Sequence, residues 1–240
     1  TFFAIASRTR TARFDLKRVE GYRNFCNKLW NAANFVMTHV ENQDEDLNSS
    51  EIQLTPVDEW ITSEFQNVTT AVCFAMETYR FDLAAKAIYE FIWDEFCDWY
   101  LELSKPILNA DTISDAQRRG TRQTLAKTME ATLRLAHPFL PFPTEELWQK
   151  LPESVRGSGE TIMLQAYPAT DETLINQVAQ DDIAWLKKVV SGVRNIRGEM
   201  DISPAKEIPV MFANGTNEDR ERLDRFSDLL IPLIRPEDLI

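Results

Sequence analysis

The chain has 240 residues, 44% hydrophobic and 27% charged, proportions that exclude a disordered or fibrous protein and give room for one or two packed domains. No apolar run reaches the roughly 18 residues a membrane span needs, and no signal peptide is legible in the opening TFFAIASRTRTARFD. A net charge of −12 argues, as an average, against a nucleic-acid binder.

The average hides a division. Residues 1–40 carry Arg8, Arg10, Arg13, Lys17, Arg18, Arg23 and Lys28 against Asp15 and Glu20, a net of +5, so the remainder carries −17. Glycine is scarce, at 7, and long stretches lack both glycine and proline, which favours helix over sheet. The opening apolar residues read as the continuation of a longer chain.

Helices are predicted at about 16–40, 56–79, 81–104, 113–136 and 143–151 from their apolar periodicity. Thr55-Pro56 supplies an N-cap and a first-turn proline, followed by Asp58 and Glu59 at the positive end of the helix dipole. Residues 41–53 read as an acidic surface loop. Pro106 and Pro138 are expected to stop the helices before them, Thr144 to cap the last helix, and His137 to sit at a helix C-terminus where positive charge is favoured. A Gly157–Gly159 loop closes this part. From about 169 the pattern changes to a helix over 171–199, a break at Ile202-Ser203-Pro204, a strand over 207–213, an Asn214-Gly215 turn and a charged helix over 217–230. The expected fold is mainly α: an antiparallel helical bundle followed by a small α+β segment.

The cysteines, Cys26, Cys73 and Cys97, are odd in number, far apart and set in helical pattern, without CxxC or histidine spacing. Free thiols in a reducing, cytoplasmic setting are expected.

The stretch KRVEGYRNFCNKLWNAANFVM repays a helical wheel at about 100° per residue. Tyr22, Phe25, Cys26, Leu29, Ala33, Val36 and Val40 gather on one face. Lys17, Asn24, Lys28, Asn31 and Phe35 form a row about 60° wide, more than about 90° from that face. Two ammonium groups, two amides and one aromatic ring, with no acid, suit single-stranded nucleic acid: lysines for phosphates, amides for base edges, an aromatic for stacking. The competing reading is a helical interaction scaffold, in which another helix or domain covers Phe35.

Other clusters have plainer readings. Glu95, Asp98 and Glu102 edge an aromatic-rich face and could serve acid–base or metal chemistry, but neither His39 nor His137 follows a glutamate at ExxH spacing. Pairing with arginines such as Arg134 or Arg80 is expected instead. Arg118, Arg119 and Arg122, and the pair Arg194 and Arg197, are candidates for phosphate contacts or for salt-bridged surface. There is no phosphate loop, nucleophile elbow or zinc spacing, and no catalytic residue is assigned.

Taken together, GYRNFCNKLWNAANFV at 21–36, FDLAAKAIYEFIWDEFCDWYLELSKP at 81–106, HPFLPFPTEELWQKL at 137–151, TIMLQAYP at 161–168 and WLKKVVSGVRNIRGEMDISP at 185–204 resemble the C-terminal part of the bacterial valyl-tRNA synthetases, class I aminoacyl-tRNA synthetases. Isoleucyl and leucyl enzymes share the architecture; NKLWNAANF with EFCDWYLELSKP points to the valyl member. The resemblance implies that residues 1–15 end a linking segment from the catalytic core, 16–168 form the anticodon-binding bundle of the class I type, and 169–240 form a small α+β region leading to a coiled-coil arm. It implies Lys17, Arg23, Asn24, Lys28, Asn31 and Phe35 as contacts for the anticodon stem-loop of valine tRNA, with the middle adenine and third cytosine as the bases read. Lys17 stands where other members often carry arginine, and SRTRTARFD departs from the family's usual segment. ATP and magnesium would belong to the catalytic core, whose HIGH and KMSKS motifs are not in this sequence, so no cofactor is expected here. A monomer whose further partners are the other domains of its own polypeptide is implied.

Overall fold

The computed structural model describes residues 15–41 and 43–239. It contains two compact units, the first ending at Asn176 and the second beginning at Gln177. The first is helical: α1 (Leu16–Val40), α2 (Asp44–Asn48), α3 (Pro56–Glu77), α4 (Phe81–Glu90), a π-helical segment (Phe91–Tyr100), α5 (Leu101–Asn109), α6 (Asp115–Ala136), α7 (Pro141–Lys150) and α8 (Glu153–Arg156).

Helix α6 is the centre of this bundle. It packs on α1, α3, α5 and α7, with Leu125, Met129 and Leu133 wholly buried; side chains of this size each contribute about 1.5–3 kcal/mol when removed from water. Its N-terminus is closed by a Ser114–Gln117 capping box, as α3 is by Thr55 and Asp58. In α1, Phe25, Leu29, Ala33 and Val36 are wholly buried, as the wheel requires.

The α3 cap does more than start a helix. Asp58 is fully buried. Its Oδ2 accepts from Thr55 N at 3.0 Å, Thr55 Oγ1 at 2.7 Å and Thr121 Oγ1 of α6 at 2.8 Å, while Oδ1 accepts from the Tyr100 hydroxyl at 3.0 Å. One carboxyl thus joins α3, α6 and the end of the π-helical segment. Burial pushes its pKa above the ordinary carboxylate value, against the hydrogen bonds from Thr55, Thr121 and Tyr100. Three of its four donors are hydroxyls, which can turn to accept from the protonated acid.

Several expectations give way to tertiary demands. Residues 44–48 of the expected acidic loop form α2, which packs on α6. The single helix over 81–104 divides at a π-helical turn and continues through Pro106 to Asn109. The proline removes one backbone donor, but Ile107 and Leu108 are buried and hold the last turn in place. Thr144 is buried inside α7 rather than capping it, its hydroxyl donating to Leu140 O at 2.7 Å. His137 does cap α6, but burial lowers its pKa, so the ring favours the neutral form beside Thr144 Oγ1 at 2.8 Å.

The expected helix start at 171 moves to Gln177 because the preceding strip is used along α3. Asp171 N donates to Gln66 Oε1 at 2.9 Å and Asn176 N to Ser63 Oγ at 2.8 Å. The second unit comprises α9 (Gln177–Glu199), β1 (Ile208–Val210), α10 (Asn217–Ile234) and β2 (Pro236–Leu239). Helices α9 and α10 pack together, and β1 pairs in parallel with β2, Ile208 opposite Pro236. The strand expected over 207–213 is thus shorter, and its partner was not foreseen. Helix α10 runs beyond 230 because Leu230 and Ile234 are buried, and it ends where Arg235 turns left-handed at φ 45°.

Two stability tests follow. A Cβ on Gly120 of α6 would lie 2.4 Å from the carbonyl oxygen of Gln53, whose own N–H donates to Ala116 O. Gly120→Ala should therefore lower unfolding free energy by about 1–3 kcal/mol in denaturant titrations, although alanine is the better helix former. The second test concerns pH. With its folded pKa raised, Asp58 gives the folded state an extra bound proton, a contribution full below the unfolded value of about 3.9 and lost as pH rises through the folded value. The unfolding free energy of the unmodified chain relative to Asp58→Asn should increase as pH falls from 7 toward 4; a pH-independent difference would contradict it.

Candidate nucleic-acid interface

The row on α1 lies along a seam. Lys17, Asn24 and Asn31 are exposed, while Lys28 and Phe35 are half-buried, because the side of the helix nearer to them meets the π-helical segment and α5. Lys28 Nζ donates to Asp98 Oδ1 at 2.6 Å and lies 3.8 Å from the centre of the Trp93 ring. That indole ends an aromatic column. Trp93 stacks on Tyr89 at 5.6 Å with the planes 9° apart, and Tyr89 stacks on Phe25 at 4.8 Å.

Phe35 is not a ring in open water. It rests on His39, 4.3 Å between centres, with Lys105 Nζ of α5 at 5.9 Å. The His39 ring is itself held by Nδ1 lying 2.8 Å from the Phe35 carbonyl oxygen. The result is a half-exposed aromatic face bordered by a cation, with the amides of Asn24 and Asn31 alongside. Arg23 is exposed but stands about 120° round the helix from Lys17, Lys28 and Phe35, which removes it from the row.

The other candidate cations have internal work. Arg118 donates to Ala110 O and Ile113 O, each at 3.1 Å, and pairs with Asp115. Arg119 donates to Glu51 O at 3.0 Å, and Arg122 pairs with Asp46. These three fasten segment 46–54 and the 110–115 turn to α6, so their geometry is that of staples. Arg197 is 6% exposed and donates to the carbonyls of Ser203, Lys206, Ile234 and Arg235; this burial removes it as a phosphate contact. Arg194 is exposed on α9. Arg8, Arg10 and Arg13 lie outside the described residues.

The carboxylates also take partners other than those expected. Asp98 pairs with Lys28 and Glu102 with Lys105, whereas Arg134 pairs with Glu130 and Arg80 with Asp82. Arg80 is held by its neighbour Asp82, and Arg134 by Glu130 on its own helix and by the Ala166 carbonyl oxygen at 2.7 Å, so neither turns to these carboxylates. Cys26, Cys73 and Cys97 are free thiols, and burial pushes Cys97 up to about 12, so it is an unreactive packing group. Among the described residues no helix is long and apolar enough to cross a membrane.

Trp93, Asp98, His39 and Lys105 are the members of this seam that the wheel missed. Three of them stand on other helices, and the wheel of α1 carries no signal for those.

A central helix flanked by a second one bearing amides, amines and an aromatic ring makes a helical bundle with one polar, aromatic-bearing edge. Residues 58–212 match the family described as the anticodon-binding domain of tRNA ligase, and the chain belongs to that family. It is 48% identical over 230 residues to the valine–tRNA ligase of Legionella pneumophila strain Paris, and the match covers 96% of this chain and 25% of that protein. The ligases of strains Philadelphia 1 and Lens match with the same identity and coverage. The chain thus spans about a quarter of the length of the curated relatives it matches. Helix α1 precedes the span matched by the family, although it packs on α6 and α7 within it.

Phe35 and Val36 are neighbours with opposite surroundings, one half-exposed and one wholly buried. Val36→Ala should cost on the order of 1–3 kcal/mol of unfolding free energy, the cost of opening a small cavity. Phe35→Ala should cost less, because the ring already keeps part of its surface in water. Paired melts check both, and a Phe35→Ala that melts as early as Val36→Ala would make Phe35 a core residue.

Proposed function

We propose that this chain holds the anticodon stem-loop of valine tRNA and is part of a valine–tRNA ligase, which joins valine to its tRNA with ATP. The observation that carries this reading is the α1 row, Lys17, Asn24, Lys28, Asn31 and Phe35, presented along one edge of a bundle of the anticodon-binding family. The amino acid is taken from the relatives, which are valine–tRNA ligases.

Each member of the row has a role set by its chemistry. Phe35 stacks on a base, its other face supported by His39. Asn24 and Asn31 are exposed amides that can donate and accept together, which is what a base edge demands. Lys17, in the first turn of α1, is a mobile point charge for a phosphate, lacking the fork an arginine would offer. Lys28 is already oriented by Asp98 and Trp93. The middle adenine and third cytosine of the anticodon are the bases read.

The acceptor end of the tRNA is then left to the remaining domains of the same polypeptide. ATP and magnesium belong there in this reading. The protein acts as a cytoplasmic monomer in this reading.

The test is a titration of the chain with valine tRNA and with the same tRNA altered only at the middle anticodon base. The altered tRNA should bind at least about fivefold more weakly, the lower end of one good base contact. Lys17→Ala should weaken both alike and lower the slope of log affinity against log salt by about 0.7–0.9. Equal affinity for the two tRNAs would overturn the reading.

A further inference from the structure

The π-helical segment is ten residues long, where most such turns are single bulges, and these tend to occur at functional sites. Its bonding spans five residues, as in Leu101 N to Phe96 O. In an α-helix, residues five apart stand about 140° apart. A helix whose hydrogen bonds span five residues turns roughly 80–85° per residue, so the same two stand roughly 50° apart. Trp93 and Asp98 are five apart, and both touch Lys28. An α winding would have turned one of them away.

The clamp is weak as a source of stability. Asp98 is half-exposed, and an ion pair of that kind contributes about 0–1 kcal/mol. Its effect on direction is larger. The ammonium has three N–H groups: one goes to Asp98, the charge rests against the indole face, and two N–H groups remain for another acceptor.

The surroundings decide what they can donate to. Asp98 pairs with Lys28, and the Asp94 carboxyl nearby is raised first by burial and then by the charges of Asp98, Glu95 and Glu90, with Lys28 opposing them. A phosphate arriving here meets an acidic ridge with its counter-charge already satisfied. An uncharged acceptor meets no such repulsion.

We propose that Trp93 and Asp98 are specificity-determining positioning residues, which hold Lys28 as a donor to an uncharged base-edge acceptor, a carbonyl oxygen or ring nitrogen, and withhold it from phosphates. This rests on the anticodon-binding reading above. Without Asp98 the ammonium is free to swing to the backbone, where it gains affinity for any RNA and loses the reading of one base.

The test compares the unmodified chain with Asp98→Asn in binding valine tRNA and the tRNA altered at single anticodon positions, over a series of salt concentrations. Asp98→Asn should reduce the discrimination ratio at one anticodon position at least about fivefold and steepen the salt slope by about 0.7, the mark of one new phosphate contact on a single strand. Neither change should occur on a Lys28→Ala background. Trp93→Leu should reduce the ratio, and Trp93→Phe, which keeps a ring, should restore part of it. Melts check that each variant is folded, and Asp98→Ser repeats the measurement with a smaller group. An unchanged ratio in both folded Asp98 variants overturns the proposal and leaves the anticodon reading standing. Effects that persist without Lys28 overturn it too. Equal binding of all tRNAs by the unmodified chain overturns the anticodon reading and this proposal together.

Discussion

The arrangement of the helical unit depends on one buried carboxyl. Among the described residues Asp58 has no ion-pair partner, and its lone pairs are met by neutral donors from three separate elements. A buried acceptor left short of a donor costs about 1–3 kcal/mol, more if charged. The Tyr100 hydroxyl is therefore fixed at the core end of the π-helical segment, where burial and the adjacent carboxylate raise its pKa well above normal. Seven residues earlier, Trp93 must reach α1. In an α-helix residues seven apart fall within about 20° of each other, so Tyr100 and Trp93 could not face different neighbours. With roughly 80–85° per residue they stand on nearly opposite sides. The unusual winding is what lets one segment serve the core with Tyr100 and the interface with Trp93 and Asp98.

This explains which parts of the architecture were legible in the sequence. Helices α1, α3 and α6 carry a 3.6-residue apolar period and side-chain caps at Asp15, Thr55 and Ser114, all local signals, and they appear close to where those signals put them. The π winding answers a demand made by Asp58, more than thirty residues away, and FIWDEFCDWY read by itself has the period of an ordinary amphipathic helix. Pro106 and Thr144 fail as boundary signals for the same reason. Burial of Ile107, Leu108 and Leu147 outweighs the local preference of a proline or a threonine.

The interface was half legible. The wheel placed Lys28 and Phe35 away from the core face, which is correct to the extent that both keep part of their surface in water. It could not show that the row borders a second helix. Asp98 was read as a structural carboxylate seeking an arginine, because ion pairs across helices leave no trace in the spacing along either one. The arginine clusters show the opposite error. A run such as Arg118, Arg119, Arg122 looks available in sequence, yet backbone carbonyls at 51, 110 and 113 lie outside the helices, and a guanidinium can donate to several at a time. Arg197 does this four times over in the second unit, where it ties the end of α10 to the turn after α9.

On the proposed reading, RNA approaches a chain of net charge −12, and away from the basic first forty residues the field repels it and penalises contacts that depend only on phosphate charge. Under that constraint, groups that act at short range gain weight. Stacking on Phe35 and hydrogen bonds from Asn24 and Asn31 are of that kind, insensitive to the overall field. In the proposal above, Lys28 joins them because the Asp98 carboxylate offsets its charge and the indole of Trp93 holds it in place, while other N–H donors remain. On that reading, surface charge that weakens attachment to RNA in general leaves more of the affinity resting on the bases themselves.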